Sequence, residues 1–380
     1  MQYVDLGVLP RRKGSSKLKK TLKWTSLAFL VAIVFYASYI IYFPAAALLK
    51  EIFKHPSSAL SLVKNPEGTL KGDNGRTNFL LLGIDKRDNV PYSYTLGGGT
   101  AAKNGFLSDT MMVVSLDQKS SEVATVSIPR DTWVRIPSWP GHSAAFAKIN
   151  AAYSYGETEN YPGGGEELAK NIVSEVLGVP IHYVTRVDFA GFKKAIDDLG
   201  GIDVNVETGF DDYNYPAQNI NVDCYKVACL KHVHFDAGLQ HMNGEKALEF
   251  VRSRQGTNGE GSDFARASRQ QKILVAAKQK ALSIFNIFDP AKINNLFSGF
   301  GETIDTDIDL AALPKLYKYS KEVKTDQMKS IVLDTENYLY HPSPDAFGGA
   351  YVLLPKNDSW AKVQEAVKNI FSPPAPSSSQ

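Results

Sequence analysis

The chain has 380 residues, which exceeds an average domain of about 150 residues and predicts two or three domains. Hydrophobic residues make up 43% and charged residues 22%, which excludes a wholly disordered, collagen-like or coiled-coil protein. The formal net charge is +2, but residues 1–23 hold seven basic residues and one acidic residue, leaving 35 basic and 39 acidic residues elsewhere. A slightly acidic remainder is not the charge of a nucleic-acid coat protein.

An uncharged apolar segment follows this basic tail. Residues 24–43 form a run of 20 residues, and a helix of that length measures about 30 Å, the thickness of a bilayer core. Aromatic residues near its ends and the preceding positive charges predict one transmembrane anchor, with residues 1–23 cytoplasmic and the chain after Pro44 extracellular. A cleaved signal peptide is the alternative, with Ala45–Ala47 as its small-residue site, although its apolar region would span only about 7–15 residues.

The extracellular part divides further by composition. Residues 44–75, with several prolines and glycines, predict a juxtamembrane stalk. Residues 76–285 alternate predicted strands and helices, which indicates an α/β fold: an α/β/α sandwich with a central mixed sheet. Residues 286–371 predict a C-terminal α/β extension packed on this domain, and the Pro- and Ser-rich residues 372–380 predict a disordered tail.

Apolar runs and helical periods place the individual elements. The predicted strands cover Phe79–Ile84, Met111–Leu116, Val123–Ile128, Tyr183–Val187 and Ile202–Val206. The predicted helices cover Glu166–Leu177, Phe189–Leu199, Asn243–Phe250 and Ala265–Phe285, with weaker patterns near 309–320 and 358–371.

The chain contains two cysteines, Cys224 and Cys229, both in the predicted extracellular part. An extracellular compartment permits oxidation and a hairpin could bring the two together, so we expect a structural disulfide. A zinc site would need more ligands than these, and no cluster of Cys and His supplies them. His232 and His234 alternate in a strand-like stretch and are interpreted as surface residues.

Common catalytic signatures are missing from the sequence, including a nucleotide-binding P-loop, a G-x-S-x-G elbow and an H-E-x-x-H helix. Arginines instead concentrate in one region. If the residues around them are extended, Arg252 and Arg254 project to the same side. If the next segment is a helix, Arg266, Arg269 and Gln270 share one face. Guanidinium groups match phosphate oxygens, so an anion site is one interpretation and a solvated basic face is the other.

Carboxylates and a further arginine stand at the ends of the predicted strands. Asp85 ends the first strand, Asp109 opens the second and Arg130 follows the third. Ligands bind at strand ends in α/β sheets, and Mg²⁺ takes one or two carboxylates plus phosphate oxygens. Each aspartate alone is equally compatible with a loop cap or turn. Beside the arginines, the two aspartates predict a diphosphate site without a P-loop.

These residues belong to a series of motifs that carry a family resemblance. In chain order the motifs are G-I-D-K-R (83–87), S-D-T-M-M-V (108–113), S-I-P-R-D (127–131), K-I-N-A-A-Y (148–153), D-D-L-G-G-I-D-V (197–204), L-Q-H-M-N-G-E-K-A-L (239–248) and V-R-S-R with D-F-A-R-A-S-R-Q-Q (251–271). They strongly resemble the LytR-CpsA-Psr family over roughly residues 77–283, and the single N-terminal anchor fits the same family.

The resemblance implies a membrane-anchored phosphotransferase of the glycopolymer–peptidoglycan ligase type. Its partners would be the membrane, a polyprenyl-pyrophosphate-linked glycan and peptidoglycan, with no nucleic acid. A sugar hydroxyl of peptidoglycan would attack the phosphorus that bears the polymer, and polyprenyl phosphate would leave. The lipid tail would occupy an apolar tunnel between the sheet and helices such as 166–177 and 266–285.

Motif matching also implies roles for individual residues. Asp85 and Asp109 would hold Mg²⁺ or Mn²⁺, and together with Arg130 they would form the catalytic group. Asp263 would orient arginines. The implied pyrophosphate ligands are Arg87, Arg130, Arg252, Arg254, Arg266, Arg269 and Gln270. One departure concerns Leu107, where many members carry an arginine; Arg87 or Lys103 could supply that charge.

Two other functions stay open at this point. A polyprenyl-pyrophosphate pyrophosphatase or a lipid-carrier binding protein would use the same site, with water or nothing in place of the acceptor hydroxyl. An envelope-linked regulator of transcription is the second alternative, but the roughly 23 residues on the cytoplasmic side are fewer than a helix-turn-helix needs.

Overall fold

The computed structural model describes residues 68–84, 107–216, 230–287, 304–324 and 328–371. The predicted cytoplasmic tail, the anchor at 24–43, most of the stalk and the C-terminal tail lie outside these residues. Within the described ranges, no helix combines the length and the apolar character needed to cross a membrane.

The strands, numbered in chain order, are β1 Arg76–Ile84, β2 Ser108–Asp117, β3 Val123–Ile128, β4 Trp133–Ile136, β5 Ala145–Lys148, β6 Tyr183–Asp188, β7 Ile202–Val206, β8 Phe210–Pro216, β9 Leu230–Phe235, β10 Gly238–Met242, β11 Ile304–Thr306, β12 Lys329–Val332, β13 Leu339–Tyr340 and β14 Leu354–Pro355. The α-helices are α1 Ala152–Thr158, α2 Gly164–Leu177, α3 Phe189–Asp198, α4 Gly244–Arg252, α5 Asp263–Ile287, α6 Leu313–Glu322 and α7 Ala361–Lys368. Short 3-10 helices cover Ile149–Ala151, Leu310–Ala312, Pro344–Phe347 and Lys356–Asp358.

The central sheet has six strands in the order β11-β6-β1-β2-β3-β12. Strands β1, β2 and β3 are mutually antiparallel, whereas β6 pairs with β1 and β12 pairs with β3 in parallel. The mixed sheet predicted from the sequence is confirmed. Strands β11 and β12, which come from the predicted C-terminal extension, are the two outer strands of this sheet.

One face of the sheet is covered by α2. Leu80, Leu82 and Ile84 of β1 are buried against Leu168 and Ile172 of α2 in one apolar cluster. Full burial of such side chains stabilises the fold by about 1.5–3 kcal/mol each. Alternation along β1 thus fixes which face meets the helix.

The opposite face is less deeply buried and is covered in part by α5. Gln270 of α5 donates to Thr110 Oγ1 of β2 at 3.4 Å, which places this helix over the face of Phe79, Leu81 and Val114. These three apolar side chains are half-buried. Helices therefore lie on both faces of the sheet, as the alternating pattern predicts.

A second apolar cluster supports α4 and α5. Phe210 and Phe235 of the β8–β9 hairpin stack with ring centroids 4.9 Å apart, and Phe235 contacts Phe250 of α4 at 5.1 Å.

The extended conformation considered for residues 251–254 does not hold for Val251 and Arg252, which are helical. Helix α4 continues through Arg252, and the Ser253 amide donates to the Glu249 carbonyl at 3.1 Å to close the last turn.

Candidate functional site

The site lies at one end of the central strands, where β1 and β3 end and β2 begins. We call this end of the strands the sheet edge. Asp109 lies here as the extra residue of a β-bulge, because Gly83 pairs with Thr110 and Ile84 pairs with Ser108. A bulge interrupts the side-chain alternation of a strand and redirects a side chain, a device common beside active sites. Strand alternation alone did not predict this feature.

Arg130 follows β3 and is joined to Asp109 across the sheet edge. Its Nη1 donates to Asp109 Oδ1 at 2.9 Å, and its Nε lies 3.4 Å from Asp131 Oδ2. Burial lowers the pKa of Arg130, but Asp109 and Asp131 outweigh that effect and the net direction is upward. Lys148 Nζ donates to Asp131 Oδ1 at 2.6 Å, so Asp131 is shared between two cations. The guanidinium of Arg130 is held in place and stays charged.

Arg254 and Arg266 reach the same place from the other side. Together with Arg130 they line an open cavity of about 240 Å³, whose remaining lining residues are Pro129, Asp131, Gly261, Tyr351 and Leu353. Three of the predicted pyrophosphate ligands therefore share one cavity, although they come from a strand end, a loop and a helix.

The loop that carries Arg254 is organised by a buried carboxylate. Asp212 of β8 is 1% exposed, and its Oδ2 accepts hydrogen bonds from Ser253 Oγ at 2.6 Å and from the amides of Arg254 and Gln255 at 3.1 Å. Burial raises the pKa of Asp212, but these hydrogen bonds outweigh it and the net direction is downward. Sequence reasoning missed Asp212, because an aspartate in a polar stretch carries no signal of burial.

Arg269 supports the same loop from beneath and does not line the cavity. Its side chain is 1% exposed, with Nε donating to the Phe250 carbonyl at 2.8 Å and Nη2 to the Ser253 carbonyl at 2.6 Å. Its Nη1 donates to both the carbonyl and the Oε2 of Glu260, at 2.8 and 2.5 Å. In this structure the guanidinium of Arg269 is used inside the protein, and its predicted role as a ligand stays a prediction.

Arg252 packs against aromatic rings next to the loop that carries Arg254. Its guanidinium carbon lies 4.0 Å from the ring centroid of Phe189, and its Nη1 donates to Tyr215 Oη at 3.3 Å. It is not among the residues that line the cavity. As the last residue of α4 it does not share a strand face with Arg254, so the predicted period-two relationship between the two arginines does not exist.

The other predicted residues are placed as follows. Gln270 contacts Thr110, next to Asp109. Asp263 is the first residue of α5, and its side chain is outside the described part of the structure. Asp85, Arg87, Lys103, Cys224 and Cys229 lie outside the described residues, so their roles stay predictions.

The described part of the chain contains no group of three or more His, Cys, Asp or Glu side chains arranged to hold a metal ion. The side-chain atoms of Ser108 and Asp109 that could coordinate a metal ion are oxygens. Its carboxylate is one-quarter exposed, and the neighbouring Ser108 Oγ is buried without a hydrogen-bond partner. A carboxylate beside the cavity arginines fits the oxygen preference of Mg²⁺, which takes one or two carboxylates and completes its shell with phosphate and water oxygens.

Comparison with known proteins agrees with this architecture. The model of the LytR_cpsA_psr family matches residues 49–369. The polyisoprenyl-teichoic acid–peptidoglycan teichoic acid transferase TagV of Bacillus subtilis is 33% identical over 245 residues, which cover 63% of this chain and 56% of TagV. TagU of Oceanobacillus iheyensis, a transferase of the same description, is 29% identical over 313 residues, covering 80% of this chain and 82% of TagU.

The crystal structure of B. subtilis TagV superposes with a TM-score of 0.51 and 26% identity, covering 78% of this chain and 98% of that one. The shared mixed sheet and the match of the family model over most of the sequence lead to one conclusion: the chain belongs to the LytR_cpsA_psr family.

Proposed function

We propose that this protein is a phosphotransferase that moves a glycopolymer phosphate from a polyprenyl-diphosphate carrier to a sugar hydroxyl of peptidoglycan. The observation that carries the proposal is the cavity lined by Arg130, Arg254 and Arg266. Three cations around one cavity favour a bound anion, and guanidinium groups match phosphate oxygens in geometry. TagV and TagU are named as transferases of teichoic acid from polyisoprenyl carriers to peptidoglycan, which supports the same reaction class.

In this reaction the arginines of the cavity bind the diphosphate and stabilise charge on its non-bridging oxygens. The acceptor hydroxyl forms a bond to the phosphorus that bears the polymer as the bond to the carrier phosphate breaks. Polyprenyl phosphate leaves with the electron pair of that bond, and the hydroxyl proton passes to solvent. The diphosphate is already activated, so the reaction needs no nucleotide. Asp109 holds Arg130 in position before the substrate arrives.

We further propose that Asp109, together with Asp85, holds Mg²⁺ or Mn²⁺. The support is the location of Asp109 at the bulged sheet edge and its hydrogen bond to a residue of the cavity. When bound, the ion would neutralise negative charge on the phosphate oxygens.

The proposed topology has residues 24–43 as the membrane anchor, residues 1–23 in the cytoplasm and the catalytic domain outside the cell. We propose that the carrier lipid lies along the sheet face of Phe79, Leu81 and Val114, beneath α5. The half-burial of these apolar side chains supports that location, because a fully packed core would leave no room for a lipid tail.

The test incubates the full-length protein in detergent micelles with a labelled polyprenyl-diphosphate glycan, Mg²⁺ and peptidoglycan fragments. We expect label on the peptidoglycan and release of polyprenyl phosphate. Release of free glycan phosphate at the same rate without the acceptor would favour the pyrophosphatase alternative. Binding without any turnover would favour the lipid-carrier binding protein.

A further inference from the structure

The C-terminal segment contributes an exposed aromatic ring to the arginine cavity. Tyr351 lines this cavity together with Arg130, Arg254 and Arg266, and it is 51% exposed. Tyr351 is thus an exposed aromatic ring in the wall of a cavity that three arginines also line. Tyr351 also lies beyond the motifs that carry the family resemblance.

Tyr351 is fixed in position by its chain neighbours. Val352 and Leu353 are buried, at 0% and 3% exposure. The Leu353 amide donates to the Asp131 carbonyl at 3.0 Å, and the Leu353 carbonyl accepts from the Trp133 amide at 2.8 Å. The backbone next to Tyr351 is thus hydrogen-bonded to the residues that follow Arg130, which holds the two chain segments side by side at the cavity.

His341 adds a second ring to this aromatic surface. The His341 ring packs against that of Tyr351, with centroids 4.3 Å apart and planes at 32°. Phe347 meets Trp133 edge to face at 5.5 Å. His341 and Tyr351 are both exposed, whereas Phe347 and Trp133 are half-buried. We call the Tyr351–His341 pair the aromatic rim.

We propose that the aromatic rim binds a pyranose ring of a glycan substrate beside the arginine cavity, an inference that rests on the proposed function. The C–H face of a pyranose is apolar and packs on the electron-rich face of an aromatic ring, while the sugar hydroxyls stay in water. Tyr351 is the stacking residue, and His341 positions its ring. A lipid chain would require a continuous apolar surface, whereas Arg130 and Asp131 border this one.

Two glycans could supply the pyranose: the polymer on the lipid-diphosphate donor and the peptidoglycan acceptor. The experiment therefore has two arms, both using the full-length protein in detergent. The first measures the Kd for a polyprenyl-diphosphate glycan and, as the sugar-free probe, for polyprenyl diphosphate. The second measures the KM for peptidoglycan fragments in the transfer assay.

The variants are Tyr351→Ala, Tyr351→Phe and His341→Ala. Tyr317→Ala is the matched control, because Tyr317 is an exposed tyrosine of α6, a helix that contacts the turn at the opposite end of the sheet through Tyr319 and Gln118. We expect Tyr351→Ala to raise the Kd for the glycolipid or the KM for the acceptor by about two- to tenfold, with the Kd for polyprenyl diphosphate unchanged. Tyr351→Phe should keep most of the affinity, since the ring remains, and His341→Ala should show a smaller loss.

Wild-type values for Tyr351→Ala in both arms would overturn the proposal, as would an equal loss for the sugar-free probe. An increase confined to the first arm assigns the pyranose to the donor, and one confined to the second assigns it to the acceptor. If wild-type protein transfers nothing, the proposed function fails while the first arm still decides the role of Tyr351: weaker glycolipid binding supports it and unchanged binding overturns it.

Discussion

Arg130 Nη1 donates a hydrogen bond to Asp109 Oδ1 at 2.9 Å, so the proposed phosphate ligand and the proposed metal ligand are bonded to each other. The two side chains are 33% and 25% exposed. A diphosphate competes with Asp109 for the guanidinium, and a cation competes with Arg130 for the carboxylate. A diphosphate arriving alone would also bring its negative charge close to Asp109. The two ligands should therefore favour each other's binding.

The first prediction follows from that competition. Mg²⁺ should increase the affinity of the wild-type protein for polyprenyl diphosphate, because the ion neutralises Asp109 and the diphosphate together. In Asp109→Asn this dependence should be lost and transfer should stop, while the thermal unfolding midpoint stays close to that of wild type. Titration calorimetry with and without Mg²⁺ measures the coupling. Asp305→Asn, which alters a separate ion pair with Arg186, is the control, and a persistent Mg²⁺ effect in Asp109→Asn would contradict the assignment.

The second prediction concerns the arginines of the cavity. Arg254→Ala and Arg266→Ala should each weaken binding of polyprenyl diphosphate by about ten- to a hundred-fold, since charge-assisted hydrogen bonds contribute about 1.5–3 kcal/mol. Lysine at either position should recover part of the loss, because it restores the charge without the planar fork. Arg135→Ala, an exposed arginine of β4, should bind as wild type does. If Arg254→Ala binds polyprenyl diphosphate as tightly as wild type does, these arginines form a solvated basic face and not a diphosphate site.

The third prediction separates Arg269 from those residues. Arg269→Ala removes hydrogen bonds to the Phe250, Ser253 and Glu260 carbonyls and leaves these groups unpaired, so it should lower the free energy of unfolding by on the order of 3 kcal/mol. Glu260→Gln keeps the backbone contacts of Arg269, so it should lower the free energy of unfolding by much less. Urea denaturation of both variants measures the difference. A stable Arg269→Ala protein that fails only in diphosphate binding would restore Arg269 as a ligand.

Much of the central sheet was predictable, because its strands are short apolar runs bounded by polar turns. The bounds of Val123–Ile128 agree with the observed β3 of this sheet, and those of Ile202–Val206 agree with β7 of the separate β7–β10 sheet. The start of α4 was also predictable, since Asn243 Oδ1 caps the Lys246 amide at 2.9 Å. The following Gly244 has a steric reason: a Cβ there would lie 2.2 Å from the Lys193 carbonyl oxygen.

The site was harder to predict, for physical reasons. The alternating Val251-Arg252-Ser253-Arg254 fits a strand period, but the helical turn of α4 extends to Arg252 and decides the conformation. A count of arginines cannot distinguish the buried Arg269 from the cavity residue Arg266 on the same helix. The contribution of Tyr351 depends on β12 and the segment after it returning to the sheet, a long-range contact that no local pattern encodes.

The last prediction concerns two histidines that should titrate on opposite sides of the ordinary value of about 6.5. His234 Nε2 lies 3.1 Å from Asp236 Oδ1, and its Nδ1 lies 2.8 Å from Asp211 Oδ1. Both ring nitrogens can donate only in the imidazolium, so the hydrogen bonds to Asp236 and Asp211 raise the pKa of His234. His182 Nδ1 instead accepts the Asn78 amide at 3.0 Å, and burial lowers its pKa.

Proton NMR titration of the ring C–H signals, assigned with His234→Gln and His182→Gln, measures both pKa values. Asp236→Asn should lower the pKa of His234 and leave that of His182 unchanged. Because folding raises the pKa of His234, its contribution to stability is fully present below about pH 6.5 and is lost as the pH rises through the folded-state value. Because burial lowers the pKa of His182 on folding, its effect on stability has the opposite sign. The folded state becomes more stable as the pH rises through the range in which His182 loses its proton. A pKa of His234 at or below that of His182 would mean that the Asp211 and Asp236 contacts do not persist in solution.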